Sequence, residues 1–235
     1  MNPLKLLKRK GVVYVSLTDN YIGVVSDKFP VREEGVEVEV VGDVRPVVFD
    51  GPFVEDGAAV FKAEFDYIVA GRGGCTAPLN GYSVHHCFGS PFEDIRGREY
   101  TLYPWEIRGD VVRQARRLTW VDRLLANFFP VTFVDYAEVS RGNSREVDVV
   151  GVLSASAGTN VGFFTPIRDV YNVDVEGYSY LFGERRRVEW SGYVERIVLV
   201  KVDYGCCRLV QKALYIRADE VRFVPGTSGS PAWAR

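Results

Sequence analysis

Pro225-Gly226-Thr227-Ser228-Gly229-Ser230-Pro231 sets a serine among glycines and closes both ends of the run with proline. Glycine at 226 and 229 admits backbone angles closed to other residues and leaves room for a second chain to approach. A turn built this way exposes the serine hydroxyl and aims backbone N–H groups at one point, the layout that stabilises a developing oxyanion. The same residues also make an ordinary Gly/Ser/Pro loop. What lies upstream has to decide between the two.

Gly226-Thr227-Ser228-Gly229-Ser230-Pro231 resembles the nucleophile motif of trypsin-like (chymotrypsin-fold) serine proteases, in the variant of flaviviral proteases. Tyr215-Ile216-Arg217-Ala218-Asp219 is similar to the strand that leads to the serine in the high-temperature-requirement family of that fold. The resemblance implies a mostly β chain of two antiparallel six-stranded-type β-barrels. It also implies a histidine and then an aspartate upstream of the serine.

Bulk properties agree with a folded globular protein. The chain has 235 residues with 47% hydrophobic and 13% aromatic content, enough for a two-lobed core. A net charge of −2 gives no electrostatic case for nucleic acid. No apolar run reaches the length of a membrane span, and the basic start, Met1 to Lys10, lacks the features of a signal peptide. The expected location is intracellular or virion-associated, with a polypeptide substrate as the partner. Two glutamines and one methionine among many charged residues and valines lean towards a thermophilic source.

Residues 11 to 66 read as β. Gly11–Ser16 and Tyr21–Ser26 flank Leu17-Thr18-Asp19-Asn20 as a hairpin. Val36-Glu37-Val38-Glu39-Val40 alternates as a half-exposed strand, its glutamates on a solvated face. Val44–Phe49 and Ala58–Phe65 continue the pattern, and Tyr67–Ala70 is a further strand. The run Gly71-Arg72-Gly73-Gly74 lacks the Lys-Ser/Thr ending and following helix of a phosphate loop. Asn80-Gly81 is a strong hairpin signal.

His85 and His86 are the only histidines. A His-His pair raises the question of metal, but no His/Cys cluster has zinc-site spacing, so neither metal nor cofactor is expected. In the trypsin-like family the catalytic histidine ends a strand and precedes a cysteine bonded to another just before the strand. The resemblance therefore assigns His86 as the base and pairs Cys75 with Cys87. Cys206 and Cys207 stay open: free, bridged to each other, or paired elsewhere.

Asp110 reads as the N-cap of a helix through Phe129, with Val112, Ala115, Leu118, Val121, Leu125 and Phe128 at helical spacing and Pro130 as its stop. Its arginines, Arg113, Arg116, Arg117 and Arg123, form a solvated face. The helix is an insertion relative to the family.

Two aspartates compete for the third role. Asp135, in Phe133-Val134-Asp135-Tyr136-Ala137, has an alanine two residues on, as the family's aspartate strand often does. Asp148 opens a long apolar strand, and Val175 to Gly183 follows it at the distance at which the family enters its second barrel. The expectation settles on Asp148. The resemblance then makes Ser228 nucleophile, His86 base and Asp148 orienting acid, with the N–H groups of Gly226 and Ser228 as oxyanion donors. Thr227 stands where many trypsins carry an acidic anchor for a new N-terminus, so activation by that route is not expected. Arg222 falls at the specificity-pocket floor and implies an acidic preference.

Only seven residues follow Ser228, where the family places about two more strands. Either the product is longer and cut after Arg235, or the barrel is incomplete, or residues 11–26 supply the strands in a circular permutant. The domain reading is residues 1–66 as an extra lobe or completing strands, 67–150 as the first barrel and 151–235 as the second. The functional reading is a serine endopeptidase of a viral or self-processing kind, against an inactive protease-fold structural or binding protein.

Overall fold

The structure, a computed structural model, describes residues 2–48, 67–69, 74–78, 80–102, 107–140, 149–156, 160–181 and 186–235. A short helix α1 (Pro3–Leu7), N-capped by the Asn2 side chain, precedes the strands β1 (Val12–Ser16), β2 (Tyr21–Val24) and β3 (Glu37–Val40). Next come β4 (Tyr67–Val69), β5 (Thr76–Pro78), β6 (Gly81–Ser83), β7 (Glu99–Leu102) and β8 (Ile107–Gln114). Helix α2 (Trp120–Leu125) separates these from β9 (Ala137–Ser140), β10 (Gly151–Ser156) and β11 (Val161–Pro166). The long strands β12 (Val173–Leu181), β13 (Arg186–Asp203) and β14 (Arg208–Ala218) follow, and β15 (Pro231–Ala234) comes after the serine turn. Among the described residues the chain is mostly β, as its strand patterns and the resemblance imply.

Nine strands form one sheet in the order β12-β15-β10-β11-β14-β13-β1-β2-β3, and β12 also pairs with β13. Six of them, β12, β15, β10, β11, β14 and β13, therefore make a closed circuit of pairings. Such a circuit leaves none of those strands with an open edge. Its interior is the cluster of Leu153, Phe164, Trp190, Leu214, Ile216 and Phe223, all buried. A second cluster, with Tyr14, Phe163, Val198 and Tyr215 fully buried, packs β1 against the far face of the same strands. A four-stranded sheet, β6-β9-β8-β7, and the pair β4-β5 carry the histidine segment over a third cluster that includes Cys75, Phe88, Ile95 and Val139.

Four expectations change here. First, the strand after the serine finds both its partners upstream, β10 on one side and β12 on the other. Residues 11–26 do not supply them: β1 and β2 pair with each other and extend the sheet outward from β13. Second, the expected helix over 110–129 is a strand and a much shorter helix. In β8, Gly109 and Val111 are buried while Arg108, Asp110 and Val112 are exposed, a period of two. Asp110 pairs in the sheet, and the cap is Thr119, in a capping box with Asp122. Helix α2 buries none of its residues, and Trp120, Leu124 and Phe128 face solvent. Third, the strands on either side of Asn80-Gly81 do not pair with each other: β5 joins β4 and β6 joins β9. Fourth, residues 44–48, the described part of the expected strand Val44–Phe49, form no continuous strand: Val44 and Arg45 make isolated bridges to Val202 and Ser156. The expected strand at Ala58–Phe65 and the run from 71 to 73 lie outside the described residues.

Strand β3 also reverses its expected faces. Val38 and Val40 point to solvent, and Glu39 turns onto the sheet, where it accepts from Tyr14 Oη at 2.8 Å, Tyr215 Oη at 2.7 Å and Arg217 Nη2 at 2.6 Å. Both tyrosines are fully buried and need an acceptor for their hydroxyls. Arg196, also buried, sits 3.8 Å over the Tyr21 ring and 2.9 Å from Asp19. Burial would raise the Glu39 carboxyl, but the bonds from Tyr215, Tyr14 and Arg217 outweigh it and hold the group below its usual range. Its folded-state value is thus depressed, so its contribution is present above the ordinary value of 4.5 and is lost as pH falls through the folded value. Glu39→Ala leaves two buried hydroxyls without an acceptor and is expected to cost about 2–4 kcal/mol in urea unfolding at neutral pH. Glu39→Gln should cost less at neutral pH and flatten the acid limb of the stability profile below about pH 4.5.

Candidate active site

The serine turn is built as its residues require. Gly226 and Gly229 have φ of +99° and +85°, the left-handed region that favours glycine. At Gly229 a Cβ would also run into the carbonyl oxygen of Thr76. Within the turn, Thr227 N donates to Val224 O at 3.1 Å, Gly229 N to Leu153 O at 2.9 Å and Ser230 N to Thr227 O at 2.9 Å. Among the described residues nothing accepts from Gly226 N or Ser228 N. These are the two N–H groups that the sequence nominates as oxyanion donors. Thr227 is fully buried, and among the described residues its hydroxyl has no hydrogen-bond partner.

The histidine arrives from the other sheet. After β6, His85–Cys87 forms a single 3₁₀ turn that projects the His86 ring at the serine. His86 Nε2 lies 2.9 Å from Ser228 Oγ, and His86 Nδ1 lies 2.6 Å from Asp135 Oδ2. The other carboxylate oxygen, Asp135 Oδ1, accepts from the His86 backbone N–H at 2.9 Å. One carboxylate thus fixes both the ring and the main chain of the same residue. Among the described residues the carboxylate on His86 is that of Asp135, where the sequence reading expected Asp148. Asp148 lies outside the described residues, while Asp135, fully buried between Phe133 and β9, already holds both of its oxygens on His86.

The surroundings keep this arrangement dry. Thr165 Oγ1, on β11, donates to Asp135 O at 3.0 Å and ties the aspartate loop to the larger sheet. Tyr204 stands edge-on to Phe133 and His86, and its hydroxyl is pushed well above its ordinary value by burial and by the Asp135 carboxylate. Neither Thr165 nor Tyr204 carries a sequence signal that would have nominated it. Cys75 and Cys87 are bonded to each other, with Cα atoms 5.9 Å apart, so their sulfurs beside His86 are committed to the bridge and not to a metal. Cys206 and Cys207 are free thiols.

Arg222 is corrected too. It is exposed, and the side chains on either side of it in sequence, Val221 and Phe223, are the ones turned inward. Phe223 belongs to the cluster inside the six-strand circuit, and its carbonyl accepts from Ser156 Oγ at 2.8 Å. An exposed guanidinium does not make the floor of a pocket.

His85 faces away from the serine, with its Nε2 2.8 Å from Ser90 O and its ring edge-on to Phe133. Its pKa is lowered by burial, against the pull of the Asp135 carboxylate and the Ser90 carbonyl. The chain matches no protein-family model, and neither the curated proteins nor the solved structures include a match to it. The site therefore rests on its own geometry. Because the folded state holds His85 neutral below 6.5, its ordinary value, the unfolded chain binds the extra proton there. Stability should fall as pH drops from about 6.5 through the lowered folded value. In thermal melts His85→Gln, which keeps a donor for Ser90 O and does not titrate, is expected to remove that step.

Proposed function

We propose that the chain is a serine endopeptidase of the trypsin-like kind, with the six-strand circuit as one barrel and the histidine-bearing sheets as the other. The observation that carries the reading is the relay Asp135–His86–Ser228, with both contacts within 2.9 Å, set beside two backbone N–H groups that are unused among the described residues. In this reading Ser228 Oγ attacks a peptide carbonyl carbon while His86 Nε2 takes its proton. The C–N bond then breaks, the amine leaves with that proton, and water repeats the sequence to release the acyl group. Asp135 holds the imidazole in the tautomer with hydrogen on Nδ1 and stabilises its positive form. The N–H groups of Gly226 and Ser228 receive the oxyanion; each such donor is worth about 10²–10³ in rate.

The full burial of Ser228 favours a second reading, a protease-fold binding protein without turnover. Prolonged exposure to a small alkyl fluorophosphonate separates the two. A stable adduct is expected on Ser228 by mass spectrometry and none in Ser228→Ala; a folded wild-type chain that never forms it is the binding protein. Asp135→Asn is expected to slow adduct formation by about 10⁴-fold, since the amide offers hydrogen where the ring needs an acceptor. Asp148→Asn should change it no more than a few-fold.

A further inference from the structure

Ser228 is fully buried, and the chain's own segment 44–48 reaches its hydroxyl. The Ser228 hydroxyl donates to the carbonyl oxygen of Val47 at 2.5 Å. Upstream of that contact the segment is held as a guest strand: Ser156 N, at the end of β10, donates to Arg45 O at 3.1 Å, and Asp203 N donates to Val44 O at 2.9 Å. The bridge between Arg45 and Ser156 is antiparallel. Main-chain pairing of this sort, with alternate side chains sorted into pockets, is how sheets receive extended peptides.

The side chains are sorted in that way. Val47 packs against the cluster inside the six-strand circuit, the one that holds Leu153, Phe164, Trp190 and Phe223. Val48 packs on the opposite side, against the cluster of Cys75, Phe88 and Val139 in the histidine-bearing half. Neighbouring residues of an extended chain point opposite ways, so the segment spans the cleft between the halves. We propose that residues 44–48 occupy the substrate cleft of this enzyme, and that its substrates are extended segments with a β-branched aliphatic residue where Val47 sits. The proposal rests on the reading of Ser228 as a nucleophile, and it replaces the acidic preference expected from Arg222.

The contact is inhibitory and not a step towards cleavage. The serine hydroxyl has one hydrogen and two acceptors within reach, His86 Nε2 and Val47 O. While Val47 O takes it, the base cannot. The Val47 oxygen lies at the hydroxyl, and neither Gly226 N nor Ser228 N donates to it, so its carbonyl is not polarised for attack. A substrate must displace the segment, and its apparent reactivity is scaled by the fraction of molecules in which the segment is out.

Val47→Asp/Val48→Asp puts charge into both apolar slots and should expel the segment, with Val47→Thr as the isosteric control. Two readouts are needed: second-order labelling rates with peptidyl phosphonates ending in Val, Asp or Arg, and hydrogen exchange at the Ser156 and Asp203 amides. The double variant is expected to label about tenfold faster or more than wild type, fastest with the Val probe, and to lose protection at both amides. Adding the synthetic peptide of residues 43–48 should slow it again. Equal labelling of wild type and variant, with both amides unprotected in wild type, would overturn the occupancy; a faster Asp or Arg probe would overturn the aliphatic preference. If no probe labels either chain while amide protection is still lost in the variant, the seated segment stands and the nucleophile reading fails.

Discussion

Two hydrogen bonds from one buried residue hold the halves of the site in register. Thr76 N donates to Ser228 O at 2.9 Å, and Thr76 Oγ1 donates to Gly226 O at 3.1 Å. Thr76 opens β5 and follows Cys75, which is bonded to Cys87, the residue after His86. From the serine turn the constraint therefore runs through Thr76 and the disulfide to the histidine, then through Asp135 and Thr165 back to the larger sheet. Every link is short and at least partly buried. Separations of about 3 Å between reacting groups contribute to catalysis only when such a frame keeps them there. The close approach of Thr76 also explains why Gly229 must be glycine, apart from its backbone angle.

The topology explains how so short a stretch after the serine can be part of a closed arrangement. Strand β15 is four residues long, yet it is covered on both sides, by β10 and by β12. Both of these strands precede the serine in sequence. The same ordering bears on the expectation of Asp148. That choice rested on the distance from the acid to Val175–Gly183, and β10 and β11 stand in that interval. With two strands lying there, distance along the chain does not say which aspartate reaches His86, and among the described residues it is Asp135. Asp135, with its alanine two residues on, was the better local match. Sequence distance is a poor guide wherever strand order and chain order part.

What could be read without coordinates was local. The serine turn depends on residues within a few positions of Ser228, the base had only two candidates, and both glycines sit where their φ is positive. What could not be read depended on partners far along the chain. The apolar spacing over 110–129 fits a helix, but pairing of β8 with β7 and β9 overrode it. The alternation in β3 was legible, but which face is inward was not: a one-residue difference in register inverts it, and Tyr14 and Tyr215 set that register from strands remote in sequence. Arg222 matched a position and not an environment. Its neighbours Val221 and Phe223 alternate with it, and the apolar ones take the inside.

The cleft is assembled from the same apolar clusters that fold the two halves, so whatever lies in it is judged by the energetics of a core. Ordering a free segment costs about 1–2 kcal/mol per residue in backbone entropy. Against this, residues 44–48 gain two backbone hydrogen bonds, worth about 1 kcal/mol each. They also gain burial of Val44, Val47 and Val48, worth about 1.5–3 kcal/mol for a fully buried side chain and less for the latter two, which are only partly buried. The opposing contributions are of the same size. A segment so balanced stays in place because it is tethered and therefore at high local concentration, yet it can be displaced by a chain that fills the Val47 slot equally well and places its carbonyl on Gly226 N and Ser228 N. The Ser228 hydroxyl then turns its hydrogen bond from Val47 O to His86 Nε2, and the departure of the segment and the arming of the base are one event.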